Sequence, residues 1–243
     1  MTTCSCCRWT LLSDLRVACA LPLLLGAAVL AWQDSRPGAA PASRPDTGAA
    51  LRVAVQGTIT LARTKVKTDG PKSDKDVVVW LLPVPPATFE PPKAPVAMDQ
   101  RNLIFLPHVL AVQKGTVVQF LNNDAVPHNV FCVDECCAGM DLGQWNQGEK
   151  RTWTFTKVGI GTLLCRLHPE MAAYVVVVDS PWFTVAAIDE KSQQARYAIA
   201  GAPAGKYRLC TWSKRLADVE REVVVTGDAP VTCDLELGRR PRK

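Results

Sequence analysis

The sequence predicts an all-β protein built from antiparallel sandwiches. Short apolar segments with the alternation of half-buried strands recur from residue 53 almost to the end of the chain. No segment of helical length shows a clean 3.6-residue period, and 18 prolines among 243 residues favour strands and turns over helices. Apolar residues make up 48% of the chain and charged residues 21%, which is typical of a globular protein.

Two simple counts exclude whole classes of function. The net charge of +5 is too small to argue for nucleic-acid binding. The chain has only three histidines, His108, His128 and His168. A trinuclear copper cluster, a multi-haem protein or a histidine-rich dinuclear hydrolase therefore cannot be assembled within one chain.

Residues 1–31 are expected to be a secretory signal peptide. Arginines precede an apolar run, Val17–Trp32, that is shorter than the roughly 20 residues needed to span a bilayer. Val29 and Ala31 are the small residues that favour cleavage after Ala31. An uncleaved anchor is the alternative, and the charge of Arg16 argues against lipid attachment at Cys19. We therefore expect export to the periplasm, cell envelope or exterior, with membrane contact only through an uncleaved anchor.

A linker and a first group of strands follow. Residues 32–50 are rich in proline and alanine and lack hydrophobic periodicity, which predicts a disordered linker. Folding is expected to begin near Leu51, with an alternating strand from Val53 to Leu61 and a continuous apolar run from Val77 to Leu82. Six prolines between Pro83 and Pro95 predict an irregular crossing loop.

Two more groups of strands are predicted on either side of Asp179. In the first group, residues 151–157 (R-T-W-T-F-T-K) alternate strictly, with Trp153 and Phe155 expected to face inward. The predicted strands cover 103–105, 109–112, 116–121, 129–133, 152–155, 162–164 and 174–178, and then 183–188, 195–199, 207–212, 222–225 and 231–237.

The sharpest chemical feature is L-C-R-L-H-P-E-M, residues 164–171. Cys165, His168 and Met171 place a thiolate, an imidazole and a thioether in one short loop, and soft sulfur with borderline nitrogen favours copper over calcium or magnesium. A blue-copper centre needs a second imidazole, for which His128 is the natural candidate because it opens a neighbouring strand. Two imidazoles and the thiolate would form the trigonal plane, with Met171 as the long axial contact.

Other interpretations of this loop are weaker. A two-copper centre needs a second cysteine between Cys165 and Met171, where there is none, and Met171 is a poor zinc ligand. A single buried cysteine or methionine is more often a core residue than a metal ligand. Here, however, His128, Cys165, His168 and Met171 occur together in the order that a copper site requires. His108 has no obvious place in a four-ligand site and is expected to be structural.

A longer stretch of sequence, Met98–Tyr174, resembles the cupredoxin superfamily, and within it the amicyanin and methylamine-utilisation-like proteins. The matching segments are M-D-Q-R-N-L-I-F-L-P-H-V-L-A-V-Q-K-G-T-V-V-Q-F-L-N-N-D, H-N-V-F, T-F-T-K-V-G and C-R-L-H-P-E-M, and the Cys-x2-His-x2-Met spacing is that of amicyanin. The resemblance implies a Greek-key copper domain over residues 97–179 with one type 1 copper ion. It also implies the copper ligands His128, Cys165, His168 and Met171, supported by Asn129, which would tie the two ligand loops together, and by Pro169.

Three cysteines depart from that family pattern, Cys132, Cys136 and Cys137. A short disulfide with one spare thiol, a separate soft-metal site for cuprous ion, and a reactive thiol pair all stay open. In an oxidising compartment the disulfide is the default, with Cys132 bonded to Cys136 or Cys137. Cys210 and Cys233 are expected to pair across strands of the last group.

The segments that flank the copper domain resemble a second small sandwich of the carboxypeptidase-regulatory or transthyretin-like kind. A-G-A-P-A-G-K-Y-R-L, near residues 201–209, looks like the turn into its edge hairpin. Residues 51–96 and 180–238 would then form one sandwich into which the copper domain is inserted, with 239–243 as a basic tail. Alternatively, residues 51–82 supply the first strands of the copper domain.

These features favour a one-electron carrier over an enzyme, because four ligands leave no open position on the metal. Apolar Leu167 and Pro169 beside His168 suit transient docking of a redox partner protein. The alternative is a copper-binding storage or delivery protein, or a cell-envelope interaction module, without a role in electron transfer.

Overall fold

The computed structural model describes residues 53–62, 75–227 and 229–240, and these residues are almost entirely β-structure. The prediction of an all-β fold is confirmed. The expected signal peptide, the linker and residues 241–243 of the expected tail lie outside the described residues. The strands are β1 (Val53–Leu61), β2 (Asp76–Val84), β3 (Val96–Arg101), β4 (Ile104–Leu106), β5 (Val109–Gln113), β6 (Val117–Asn122), β7 (His128–Cys132), β8 (Asp141–Trp145), β9 (Lys150–Thr154), β10 (Gly159–Leu164), β11 (Ala172–Val178), β12 (Phe183–Ala187), β13 (Gln194–Ala200), β14 (Gly205–Ser213), β15 (Glu220–Val225), β16 (Val231–Thr232) and β17 (Leu235–Leu237).

Strands β3 to β11 form two sheets that pack face to face. One sheet has the order β4-β3-β6-β9 and the other β5-β11-β10-β7-β8. Fully buried Met98, Phe120, Phe155 and Leu163 pack in the core between them, so Phe155 faces inward as its alternation with threonines predicted. The pairs β3–β6 and β5–β11 are parallel, so these sheets are mixed and not purely antiparallel as expected.

Strands β1, β2 and β12 to β17 form a second pair of sheets. Their orders are β13-β1-β16, with β17 also paired to β1, and β12-β2-β14-β15. Ile59, Leu81, Ile199 and Leu209 are buried in the core between these sheets. β1 and β2 pair with β12, β13 and β14, so strands from before residue 85 and from residue 183 onward share these sheets.

A third apolar cluster lies between the two pairs of sheets. Val78 and Trp212, on β2 and β14, pack against Val109, Tyr174 and Val176, on β5 and β11. The cluster makes a stack of four sheets with three apolar layers between them. A strand in the middle of such a stack is buried on both faces, which explains the continuous apolar runs in β2 and β11.

The described residues also differ from the sequence prediction in smaller respects. Strands β3 and β8 were not predicted. In β8, four of the five side chains are partly or fully exposed and Gly143 has a φ of +67°, which hides the alternation of a strand. The expected basic tail begins later, since Arg239 forms a β-bridge with Leu216 and Arg240 donates to the carbonyl of Ser213 at 3.1 Å. No helix in this part of the chain is long and apolar enough to cross a membrane.

Candidate metal centre

The candidate metal centre lies where β7 begins and β10 ends. These strands are antiparallel neighbours, with Leu164 opposite Phe131, so the end of β10 lies beside the start of β7. His128 is the first residue of β7, and Cys165 follows the last residue of β10. His168 lies in the loop between β10 and β11.

Three potential ligand atoms converge at this edge. The Nδ1 atoms of His128 and His168 are 3.1 Å apart, and Cys165 Sγ is 3.7 Å from His168 Nδ1. All three atoms lie within 4.8 Å of one another. His128 and Cys165 are buried, whereas His168 is partly exposed. Two imidazole nitrogens and one thiol are a donor set that fits copper.

Met171 lies at the inner end of the same loop. Its backbone N–H donates to the carbonyl of His168 at 3.0 Å, which closes the turn, and its side chain is buried in the core of β3 to β11. The role of Met171 as the axial ligand stays a prediction. Leu167 and Pro169 are exposed on the outer side of the loop.

A buried carboxylate fixes the ring of His128. Asp124 Oδ2 lies 2.8 Å from His128 Nε2. The same carboxylate accepts backbone N–H groups from Asn102 at 2.5 Å and from Leu103 at 2.9 Å. With its proton on Nε2, the imidazole of His128 presents the lone pair of Nδ1 to Cys165 and His168.

Opposing effects act on the pKa of Asp124. Burial raises it, but the hydrogen bonds from Leu103, His128 and Asn102 outweigh burial and hold the pKa below its ordinary value. Asp124 is therefore a carboxylate at neutral pH. Sequence reasoning missed this residue, although an acidic residue four positions before a candidate metal-binding histidine is a signal worth testing.

Asn129 connects β7, β8 and the loop that follows β10. Its side-chain amide donates to Asp141 Oδ1 and to the carbonyl of Gly143, both at 2.9 Å, and its Oδ1 accepts the N–H of Arg166 at 3.4 Å. Arg166 in turn donates to Asp141 Oδ2 at 2.9 Å and lies over the ring of Phe131. The hydrogen bonds from Asn129 and then from Arg166 lower the pKa of Asp141. These contacts join the segments that carry His128 and Cys165.

His108 lies away from this group. It directly precedes β5, and its ring packs edge-on against Tyr174 with the centroids 5.4 Å apart. The group of potential ligands formed by His128, Cys165 and His168 does not include it.

The remaining cysteines occupy two regions. Cys132 and Cys137 form a disulfide, one of the two pairings expected, and Cys136 is a buried free thiol. The expected bond between Cys210 and Cys233 is not present, and both are free thiols. Cys233 and Leu209 pack in the same core, on one face of β14. Cys210 follows Leu209 in β14, so its side chain points to the opposite face. The sheet therefore separates the two sulfurs.

Comparison with known proteins identifies the central part of the chain. Residues 93–178 match the family of copper binding proteins of the plastocyanin/azurin type. These residues form a cupredoxin domain. The match begins in the proline-rich loop and ends with β11, so the cupredoxin domain contains the candidate ligands, and the protein is a copper protein.

Some solved structures are similar to a little over a third of the chain. A mutant of amicyanin in its reduced form is 27% identical, with a TM-score of 0.34, and the match covers 37% of this chain and 87% of that one. A different amicyanin mutant, in the oxidized state, gives the same identity and coverage. A copper-containing nitrite reductase from Thermus scotoductus SA-01 is 27% identical, with a TM-score of 0.34, over 38% of this chain and 24% of that one. No curated protein matches the chain.

Proposed function

We propose that this chain is an exported, mononuclear type 1 copper protein that carries one electron at a time and is not itself an enzyme. His128, Cys165 and His168 would be the strong ligands, and Met171 the weak axial one. The observation that carries the proposal is the convergence of two Nδ1 atoms and one Sγ within 4.8 Å at the edge of a cupredoxin domain.

The residues around the site would hold its geometry fixed. Asp124 keeps the His128 ring in one orientation, and the bonds of Asn129 join the segment that starts at His128 to the segment that follows Cys165. Met171 and Cys165 are both buried, which keeps water away from the sulfur side. Copper bound by two imidazoles, a thiolate and a weak axial sulfur supplies one-electron chemistry, because that donor set suits both oxidation states.

The exposed side of the site suits a transient redox partner. His168 is partly exposed, Leu167 beside it is 38% exposed, and Pro169 on its other side is exposed as well. On the loop that leads to His128, Val126 is 40% exposed. A small apolar surface around one imidazole edge is adequate for the weak, short-lived encounters of electron transfer. Nucleic acid is not an expected partner, and membrane contact would occur only through an uncleaved anchor.

Absorption spectroscopy tests the ligand set. The full chain with one equivalent of Cu(II) should absorb intensely at about 600 nm, from thiolate-to-copper charge transfer at a His2Cys site. Cys165→Ser should abolish the band. Cys210→Ser is the matched control, since it removes a buried thiol from the other pair of sheets, and it should leave the band unchanged.

Two other outcomes would contradict electron transfer through a type 1 site. Tight copper binding without the band, or with a band that survives Cys165→Ser, would mean a different ligand set. A blue protein whose copper is not reduced and reoxidised reversibly would favour copper storage or delivery, the alternative function.

Export has a separate test. If the leader is cleaved as expected, the mature protein isolated from the cell envelope or medium begins at Trp32. If the protein is found in a membrane fraction with its N-terminus intact, residues 1–31 are an uncleaved anchor and not a cleaved signal peptide.

A further inference from the structure

A second sulfur-rich cluster lies in the same core as the candidate metal centre. Cys132 ends β7, and Cys136 and Cys137 lie in the short 3-10 helix that follows it, Glu135–Cys137. All three side chains are buried, and the Sγ atoms of Cys136 and Cys137 are 3.8 Å apart. We call Cys132, Cys136 and Cys137 the three-cysteine cluster.

The three sulfurs converge on one point of strand β10. A Cβ placed on Gly161 would lie 2.9 Å from Cys137 Sγ, 3.2 Å from Cys136 Sγ and 3.3 Å from Cys132 Sγ. Glycine at this position therefore lets the three sulfurs lie directly against the strand.

Besides the Cys132–Cys137 disulfide, several hydrogen bonds hold the three-cysteine cluster in place. Asp134 Oδ2 accepts the N–H of Thr162 on β10 at 2.6 Å, and the carbonyl of Asp134 accepts the N–H of Cys137 at 3.2 Å. The N–H of Cys132 donates to the carbonyl of Met140 at 3.0 Å, and the N–H of Met140 to the carbonyl of Cys137 at 3.0 Å. These hydrogen bonds hold the segment that carries the three cysteines in addition to the disulfide.

We propose that the reduced three-cysteine cluster is a second metal site, which binds one Cu(I) through three sulfurs. Three soft donors in a dry pocket suit cuprous ion better than a hard cation. Zn2+ would want a fourth ligand. Asp134 Oδ2 lies 3.9 Å from Cys132 Sγ but accepts the N–H of Thr162, so binding Zn2+ would compete with that hydrogen bond. The inference is independent of the function proposed above, because it uses none of the residues of that site.

The site opens by reduction of the disulfide. A dithiol reductant gives two electrons and two protons to the Cys132–Cys137 bond, which becomes two thiols while the dithiol becomes a disulfide. Cu(I) then replaces thiol protons, which are released to solvent. The oxidised cluster has only Cys136 as a free thiol and is not expected to bind Cu(I).

Competition with a chromogenic Cu(I) chelator tests the proposal. The full chain carrying Cys165→Ser, reduced with a phosphine under anaerobic conditions, should retain Cu(I) against the chelator. Adding Cys136→Ser should remove one equivalent of Cu(I) per chain, and adding Cys137→Ser should do the same. Adding Cys210→Ser, the matched control, should leave the amount unchanged.

The outcomes separate this proposal from the first one. The proposal is overturned if the Cys136→Ser and Cys137→Ser chains retain as much Cu(I) as the control, if the oxidised chain retains the same equivalent, or if Zn2+ displaces Cu(I) at equal concentration. Near-ultraviolet circular dichroism identifies a variant that has failed to fold. Cys136→Ser with Cys165 intact should keep the band at about 600 nm, whatever the result for Cu(I).

Discussion

At the residue scale, one buried hydrogen bond, between Asp124 and His128, orients a ligand of the candidate metal centre. Asp124 has side-chain contact with His128 and backbone contacts with Asn102 and Leu103. The carboxylate therefore ties the strand that carries His128 to the turn between β3 and β4. A metal-binding imidazole oriented by a carboxylate is both more basic and less mobile.

Asp124→Asn should weaken copper binding by about 10- to 100-fold, the usual effect of removing such a partner. The substitution keeps the size of the side chain but removes the charge that fixes the proton of His128 on Nε2. Competition with a Cu(II) chelator measures the change. Asp179→Asn alters an exposed carboxylate elsewhere and should leave the affinity unchanged, and equal affinities for the two variants would contradict the role of Asp124.

The same residue gives a pH dependence. Because the pKa of Asp124 is lower in the folded than in the unfolded state, its contribution to stability is present above the unfolded value of about 3.9 and is lost as the pH falls through the folded value. Urea unfolding of the metal-free protein between pH 2 and 6 should show a smaller loss of stability in acid for Asp124→Asn than for the native chain. Parallel curves for the two proteins would show that Asp124 does not titrate in this way.

At the element scale, β7 and β10 together carry both sulfur-containing sites. His128 and Cys132 are four residues apart on β7 and so face the same side of that strand. Cys165, directly after the end of β10, is likewise four residues from Gly161 on β10. Four residues of strand span about 13 Å, which separates the metal centre from the three-cysteine cluster. One pair of strands thus positions a site at its edge and another inside its core.

Gly161→Ala should destabilise the protein by about 1–3 kcal/mol, since the new methyl group would overlap three buried sulfurs. Urea unfolding measures the change. Gly238→Ala is the control, because nothing lies within 4 Å of a Cβ at that position, and it should change stability by less than about 0.5 kcal/mol. A smaller effect of Gly161→Ala when Cys136 is also alanine would show that the sulfurs cause it.

The sequence brought together Cys165 and His168 with the distant His128, which the structure places within 4.8 Å of one another, while the role of Met171 stays a prediction. Cys165, His168 and Met171 are within seven residues, so their spacing alone indicated a common metal. Asp124 was not predicted, because its spacing from His128 is only a weak signal and its role follows from a ring orientation set by the fold. The failure at Cys210 and Cys233 is of the same kind, since strand alternation places Cys210 on the opposite face of its sheet from Cys233.

At the scale of the whole molecule, the layer around Trp212 joins the two pairs of sheets. The ring centroids of Trp212 and Tyr174 are 5.5 Å apart, and the ring of His108 also packs against Tyr174. Lys214 Nζ lies over the Tyr174 ring, 4.1 Å from its centroid. The cupredoxin domain and the flanking sheets therefore share buried surface.

Trp212→Ala should cost about 3–5 kcal/mol, the usual effect of removing a large buried ring. Because that ring stabilises both pairs of sheets, tryptophan fluorescence and the copper absorption band should be lost together on heating, at a lower temperature than in the native chain. Val224→Ala, at a position 56% exposed, is the control and should have little effect. Loss of one signal well before the other would mean that the layers unfold independently.

The shared layer also decides what happens if the copper-binding part is excised. A fragment limited to residues 93–178 would expose Val109, Tyr174 and Val176 to water, on one face of the sheet that contains β5 and β11. Such a fragment would aggregate or stick to copies of itself unless those positions were first made polar. Strands β2 and β14 thus bury this apolar face in the intact chain.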